Sequence, residues 1–411
     1  MVAENWETII NPYLNQVKQY LDLETLVALT QRLVSAPSHT AEGETEAAHV
    51  LEDFLHQSGV RTKSQPVDDV GVNLIAELPA AGDEAGVLFN GHLDVVPPSA
   101  QMPFAPFAAT IADGRMWGRG TADMKAGLAA MACAMVAVKS AGIPLVRPLL
   151  LTAVAAEEQG NLGTDALIKA GLSARWAVVG EPTSLDLVIA HKGVDRYQVI
   201  VEGRAAHEST PELGVSAILQ ASRIICGMQD TLWPSAAKQT HPLLGHATYN
   251  IGTIRGGSSR NMVPDRCVFQ IAKRWVPGDS PAAIRAEIEA AVKAAEPTAR
   301  ASVVHEPEFD RIPHPPLDIS VEHPLVQTLS SVVTQVVGRP PRLTSWGAFT
   351  DGALLQRAGV PAVVCGPGDI RRAHTDDENI ELSEIALAAQ IYAVFAVVAC
   401  TTPELSTFGA N

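Results

Sequence analysis

The stretch Val87-Leu88-Phe89-Asn90-Gly91-His92-Leu93-Asp94 opens on three apolar residues and closes on a histidine and an aspartate two positions apart. A short apolar run bounded in this way reads as a buried strand whose end carries polar chemistry. The same arrangement recurs along the chain. Leu149 to Ala156 leads into Glu157-Glu158, Ala177-Val178-Val179 into Gly180-Glu181, and Ala362-Val363-Val364 towards His374. In open α/β sheets the ligand crevice lies outside the carboxyl ends of the strands, so residues distant in sequence can converge there. His92, Asp123, Glu157, Glu158, Glu181 and His374 stand where a two-metal hydrolytic site would need them.

Working outward from these runs, strand-like and helical segments alternate. Apolar residues recur at helical spacing from Asp22 to Gly59, broken at Pro37-Ser38. Strands follow at Val72 to Leu78 and Val87 to Asn90, then a helix from Met124 to Ser140, a strand to Ala155, a helix from Thr164 and a strand at Ala177 to Val179. That alternation predicts an α/β fold with a mainly parallel sheet flanked by helices. Past His191 the order becomes strand, helix, strand, strand, helix, strand, the pattern of a small α+β, ferredoxin-like unit. The proline-rich segment 306–316 reads as a return linker. The expected organisation is a discontinuous catalytic domain, 1–191 and 307–411, with 192–306 inserted into it.

Composition bounds the function. The 411 residues exceed one comfortable core, and a 47% hydrophobic, 18% charged chain is globular rather than disordered. The net charge of −15, with no clustered Lys or Arg, argues against a nucleic-acid partner. Five dispersed cysteines without a CxxC pair suggest neither a disulfide framework nor a thiolate zinc site, and point to a reducing, cytoplasmic setting. The first twenty residues lack the pattern of a signal peptide. The apolar stretch Ala126 to Val138, taken as the longest, is too short to span a bilayer, so no membrane partner is expected.

Each candidate also has an ordinary reading. A lone His-x-Asp usually marks a hydrogen-bonded structural histidine, although on a strand both face one way and the carboxylate can orient a metal-bound imidazole. Asp123, in the glycine-rich turn Trp117-Gly118-Arg119-Gly120-Thr121-Ala122-Asp123, could simply cap the following helix. Those glycines do not complete a dinucleotide fingerprint, and no Walker lysine motif is present, which weighs against a nucleotide-dependent enzyme. Glu157-Glu158 would ordinarily be a solvated pair. Directly after so apolar a strand, one carboxylate can instead ligate a metal while its neighbour serves as general base.

The segments GHLDVVP (91–97), WGRGTADMKAG (117–127), AAEEQGNLGTDAL (155–167), VVGEPTSLDLVIAHKG (178–193), GRAAHES (203–209), GGSSRNMVPDRC (256–267) and CGPGDIRRAHTDDE (365–378) together resemble the M20 metallopeptidase and deacylase family, of the acetylornithine deacetylase and succinyl-diaminopimelate desuccinylase type. The resemblance covers the chain from about residue 20 onwards. It implies that Asp123 bridges two divalent metal ions, zinc first with cobalt or manganese as alternatives. His92 and Glu181 would complete one site, Glu158 and His374 the other. Glu157 would be the general base, Asp94 would orient His92, and the Asp123-Met124 peptide would be cis.

The inserted domain would be a lid through which a homodimer forms. Its His207 would stabilise the oxyanion across the dimer, with Asn261 and Arg274 holding the substrate carboxylate. Two departures stand out. Ala272 replaces an aspartate common two positions before the arginine, which weakens Arg274's assignment, and Glu208 stands where a small polar residue is usual. The implied reaction is hydrolysis of the amide of an N-acyl amino acid, N-acetyl first, by a metal-bridged water. Succinyl-diaminopimelate desuccinylase, di- or tripeptidase, carboxypeptidase, and hydrolysis of another amide or arylamine stay open, as does a binding protein that retains the fold.

Overall fold

A computed structural model describes residues 6–401. The chain divides into two compact units, one formed by 1–189, 319–344 and 350–411, the other by 190–318 and 345–349.

In the first unit the strand Val87–His92 is buried at all six positions, so both faces of the sheet are covered. Successive side chains show by what. Phe89 meets Tyr392 of the helix Leu382–Thr401, with ring centroids 5.3 Å apart. Asn90, pointing the other way, donates to Thr152 and to Thr164 of the helix Leu162–Lys169. The strand pairs in parallel with Leu149–Val154 on one side and Trp176–Val179 on the other, and the latter with Ala362–Val364. These four parallel strands carry the apolar runs picked out in the sequence, and their carboxyl ends lie together.

Around this parallel centre the sheet is mixed. Arg61–Val67 and Gly71–Leu78 form an antiparallel hairpin that joins Leu149–Val154, and Leu187–His191 runs antiparallel to Ala362–Val364. The hairpin has no alternative, because a three-residue turn cannot make the crossover a parallel pair needs. Two apolar segments, Thr121–Ser140 and Leu382–Thr401, have the length and composition to cross a membrane, the second being longer than the stretch singled out in the sequence. Both pack inside this core, largely buried. The segment 306–316 contains a short helix, Pro307–Arg311, which its composition did not announce.

The second unit is a βαββαβ chain. Its antiparallel sheet has the order Thr248–Gly256, Arg266–Trp275, Gly193–Glu202, Arg300–His305. Alternation decides its faces: Tyr197, Val199, Phe269 and Ile271 are buried with Ile224 and Ile288 of the helices Ala217–Ala236 and Pro281–Ala295. The opposite face carries Arg196, Gln270 and Arg274 and is not covered by those helices.

Because Phe89 lies at the centre of the first core, Phe89→Ala should destabilise that unit by about 3–5 kcal/mol in urea denaturation. A loss below about 1 kcal/mol would show that the central strand is not the packing centre.

Candidate dinuclear metal site

Seven side chains converge at the carboxyl ends of the parallel strands. His92 Nε2 lies 2.9 Å from Asp123 Oδ1 and 3.6 Å from Glu181 Oε1. The other oxygen of Asp123 is 3.3 Å from His374 Nε2, which is 2.6 Å from Glu158 Oε1. Asp123 thus offers one oxygen to each histidine. Three overlapping groups could each hold a cation: His92, Asp123 and Glu181; Asp123, Glu158 and His374; and His92, Glu157 and Glu158.

Local structure explains how each residue arrives. Gly180 can follow its strand only because Gly127 leaves room: a Cβ on Gly127 would stand 2.5 Å from the Gly180 carbonyl. Asp123 sits in a wide turn, Thr121–Lys125, ahead of the helix Ala126–Ser140, and caps neither element. The Asp123-Met124 peptide is cis. His374 has a left-handed φ of 61° just after the turn Ile370–Arg372.

Asp94 has a further part beyond that expected of it. His92 Nδ1 is 2.8 Å from the main-chain carbonyl of Asp94 and 3.4 Å from its carboxylate. The two carboxylate oxygens accept the amide hydrogens of Glu157 and Glu158, each at 3.0 Å. Asp94 therefore ties one strand end to the next, and the main-chain carbonyl shares in orienting the imidazole.

Three further buried acids were not singled out in the sequence. Glu378 accepts from the amides of Gly120, Ala122 and Asp123 and pairs with Arg119 at 2.5 Å, so it builds the loop that presents Asp123. Glu44 accepts from the amide of Ala156 at 3.0 Å. Asp351 shares the side-chain amide of Asn161 with Glu157. Glu378 closes the segment 365–378 and could have been flagged there; Glu44 and Asp351 lie far from any motif.

The electrostatics are those of crowded acids. Burial, then the charge of Asp123, holds Glu181 well above the usual carboxylate range; burial, then Asp351 and the neighbouring acids, does the same to Glu157 against the pull of His92. Burial alone would lower His92, but Glu181, Asp123 and Asp94 outweigh it and raise it. Hydrogen bonds to Asp123 and Glu158 push His374 up to about 10. Asp123 is itself lowered, its two histidine contacts outweighing burial. Carboxylate oxygens and imidazole nitrogens without a thiolate suit a divalent cation such as zinc, cobalt or manganese, and two such charges would offset the acids. The residues present fit a dinuclear centre.

The three remaining candidates belong to the second unit. His207 pairs with Met262 on a two-stranded ribbon, and Asn261 accepts the Glu208 amide through its carbonyl at 3.1 Å, so these two are neighbours. Arg274 lies near the end of the strand Arg266–Trp275, opposite Val194.

Comparison with known proteins decides what this geometry belongs to. The description Peptidase family M20/M25/M40 matches residues 88–397. The chain belongs to this family. An acetylornithine deacetylase of Myxococcus xanthus is 32% identical over 351 residues, 82% of this chain and 88% of that protein. An N-formyl-4-amino-5-aminomethyl-2-methylpyrimidine deformylase of Halalkalibacterium halodurans is 28% identical over 400 residues, 88% and 91% of the two. The crystal structure of the aminopeptidase PepT from Bacillus cereus matches with a TM-score of 0.76 at 26% identity, covering 92% of this chain and 99% of that one. As a member of the M20 family the chain is a metal-dependent hydrolase of amide bonds in small or peptide substrates.

Glu44 provides a pH test. Burial, then the charge of Asp94, pushes its carboxyl up to about 8 from an ordinary 4.5. Between those values the folded protein holds a proton that the unfolded chain has released, so stability falls as pH rises through that window. Glu44→Gln should flatten the fall, the variant gaining on the parent between about pH 5 and pH 8 in urea midpoints. Parallel pH profiles would remove Glu44 from the balance.

Proposed function

We propose that this M20 family member hydrolyses the amide of an N-acyl amino acid, N-acetyl substrates first, with zinc as its resident metal. His92, Asp123 and Glu181 would hold one ion, and Asp123, Glu158 and His374 the other. When bound, the ions polarise the acyl oxygen and lower the pKa of a water molecule. Glu157 takes the water's proton as the water oxygen bonds to the acyl carbon, and hands that proton to the amine nitrogen as the carbon–nitrogen bond breaks. His207 donates to the acyl oxygen as charge develops there.

The observation that carries the amino-acid half is Arg274. Its guanidinium is partly buried beside a cavity of about 340 Å³ that Arg196, Asn250 and Glu306 also line. Among the described residues it has no carboxylate partner, only the Gly347 carbonyl at 3.5 Å. Burial, then the charge of Arg196, disfavours its own charge. A substrate carboxylate supplies the missing anion, and Asn261, beside His207, would assist from the second copy.

Homodimerisation through the second unit has its own support. The strand Thr248–Gly256 is an edge of its sheet, and exposed apolar residues cluster about it and the ribbon: Leu213, Ile218, Leu219, Ile254 and Met262. Along the strand Arg266 to Arg274 is about 27 Å, with His207 beyond the Arg266 end. One copy of this unit therefore offers His207 and Arg274 too far apart for one small substrate, which supports His207 acting on substrate held by a second copy. The dispersed free cysteines favour a reducing cytoplasm.

A second reading, removal of a formyl group from an aminomethylpyrimidine that carries no carboxylate, is favoured by two deformylase relatives at 28% and 25% identity. The two readings separate on a panel of N-acetyl, N-succinyl and N-formyl amino acids, dipeptides and N-formyl aminomethylpyrimidines, offered to metal-stripped enzyme before and after two equivalents of zinc, cobalt or manganese. Metal-dependent release of amine from the amino acids alone is expected, with Arg274→Ala raising KM. Turnover of carboxylate-free formamides alone would replace this reading with the second. Mixing inactive His207→Ala and Glu157→Gln proteins should restore activity if His207 acts between copies. No recovery despite proven subunit exchange would place it in cis.

A further inference from the structure

Asn161 occupies the position before the helix Leu162–Lys169, with a left-handed φ of 60°, yet its side chain makes no capping bond to that helix. Its Nδ2 instead donates to Glu157 Oε1 at 2.9 Å and to Asp351 Oδ1 at 3.0 Å. An amide between two carboxylates must present its NH2 group to both, since a carbonyl oxygen there would find no donor, so the assignment of nitrogen and oxygen is fixed by its neighbours. Its main-chain N–H returns to the Glu157 carbonyl at 2.9 Å, closing the turn between them.

Asp351 is also placed unusually. It opens the helix Asp351–Arg357, but Thr350 provides the cap, accepting from the amide of Gly352. Asp351 is buried, and among the described residues it forms no ion pair with a basic group. A buried carboxylate without a counter-charge is costly, and an apolar pair would join these helices more cheaply. What the Asp351–Asn161 pair provides that an apolar pair cannot is a directed donor to one oxygen of Glu157.

We infer that Asn161 is a positioning residue for the general base, held in turn by Asp351: it fixes Glu157 Oε1 and leaves Oε2 as the oxygen that takes the water's proton. This rests on Glu157 being the base. The chain of command runs from Asp351 through Asn161 to Glu157, and neither Asn161 nor Asp351 touches the substrate.

The test is a set of double-mutant cycles on metal-loaded enzyme. Asn161→Ala should lower kcat by roughly 10- to 100-fold with KM and metal stoichiometry unchanged. In a crystal structure of that variant Glu157 should occupy more than one rotamer. Asp351→Asn should lower kcat by less, and adding it to Asn161→Ala should cost nothing more, because it acts through the residue already removed. Adding Asn161→Ala to Glu157→Gln should likewise leave the residual rate unchanged. If Glu157→Gln is inactive while Asn161→Ala keeps full kcat and a single Glu157 rotamer, the inference is overturned and the base assignment survives. If Glu157→Gln keeps its activity, the base assignment itself fails. Should Asn161→Ala not fold, Asp351→Asn decides alone: a lower kcat at unchanged KM and metal content supports the relay, and a loss of metal or an unchanged kcat overturns it.

Discussion

Everything in the first unit is arranged around concentrated negative charge at the ends of buried strands. Asp94, Asp123 and Glu181, which are buried, and Glu157 and Glu158, which are half-buried, meet the buried His92 and the exposed His374, and carboxylates so crowded repel one another and lose hydration. The raised Glu157 and Glu181, and the raised His92 and His374, express that conflict. Divalent cations resolve it without protons, which is why this donor set reads as a dinuclear centre rather than as a structural ion-pair network.

Holding the acids in place needs more acids. Glu378 gathers three amides of the loop that carries Asp123, and Asp94 and Glu44 gather the consecutive amides of Ala156, Glu157 and Glu158. Carboxylates accepting several backbone hydrogens are strong, directional clamps in a low-dielectric interior. Loops that would otherwise be mobile are thereby tied to the rigid sheet, which catalytic geometry requires.

The second unit follows a different logic. One face of its sheet is a conventional apolar core beneath two helices, while the other presents Arg274 and Arg196. Its edge strand and apolar rim leave an unsatisfied surface that a second copy can cover. In the proposed homodimer, the separation of His207, on its ribbon, from Arg274, near the far end of the strand Arg266–Trp275, would be a reason for association rather than a defect of the site.

The sequence by itself determined the parallel centre of the sheet, the βαββαβ order of the second unit and most of the acids and histidines gathered at the strand ends, because apolar runs ending in acids or histidine record both burial and chemistry locally. It left the antiparallel flanks and the helix at Pro307–Arg311 unread, since edge pairing and short helices depend on distant partners, whereas the closing apolar helix, read as Ile385 to Cys400, is present as Leu382–Thr401. Asp94 was legible as a neighbour of His92, but its grip on the amides of Glu157 and Glu158 was not. Glu44 and Asp351 carry no local signal, and Asn161, although inside the quoted segment 155–167, shows nothing there of its contact with Asp351: a polar residue's role is set by what lies within hydrogen-bond reach of it, and only the tertiary structure brings residues 112 and 190 positions apart to that distance.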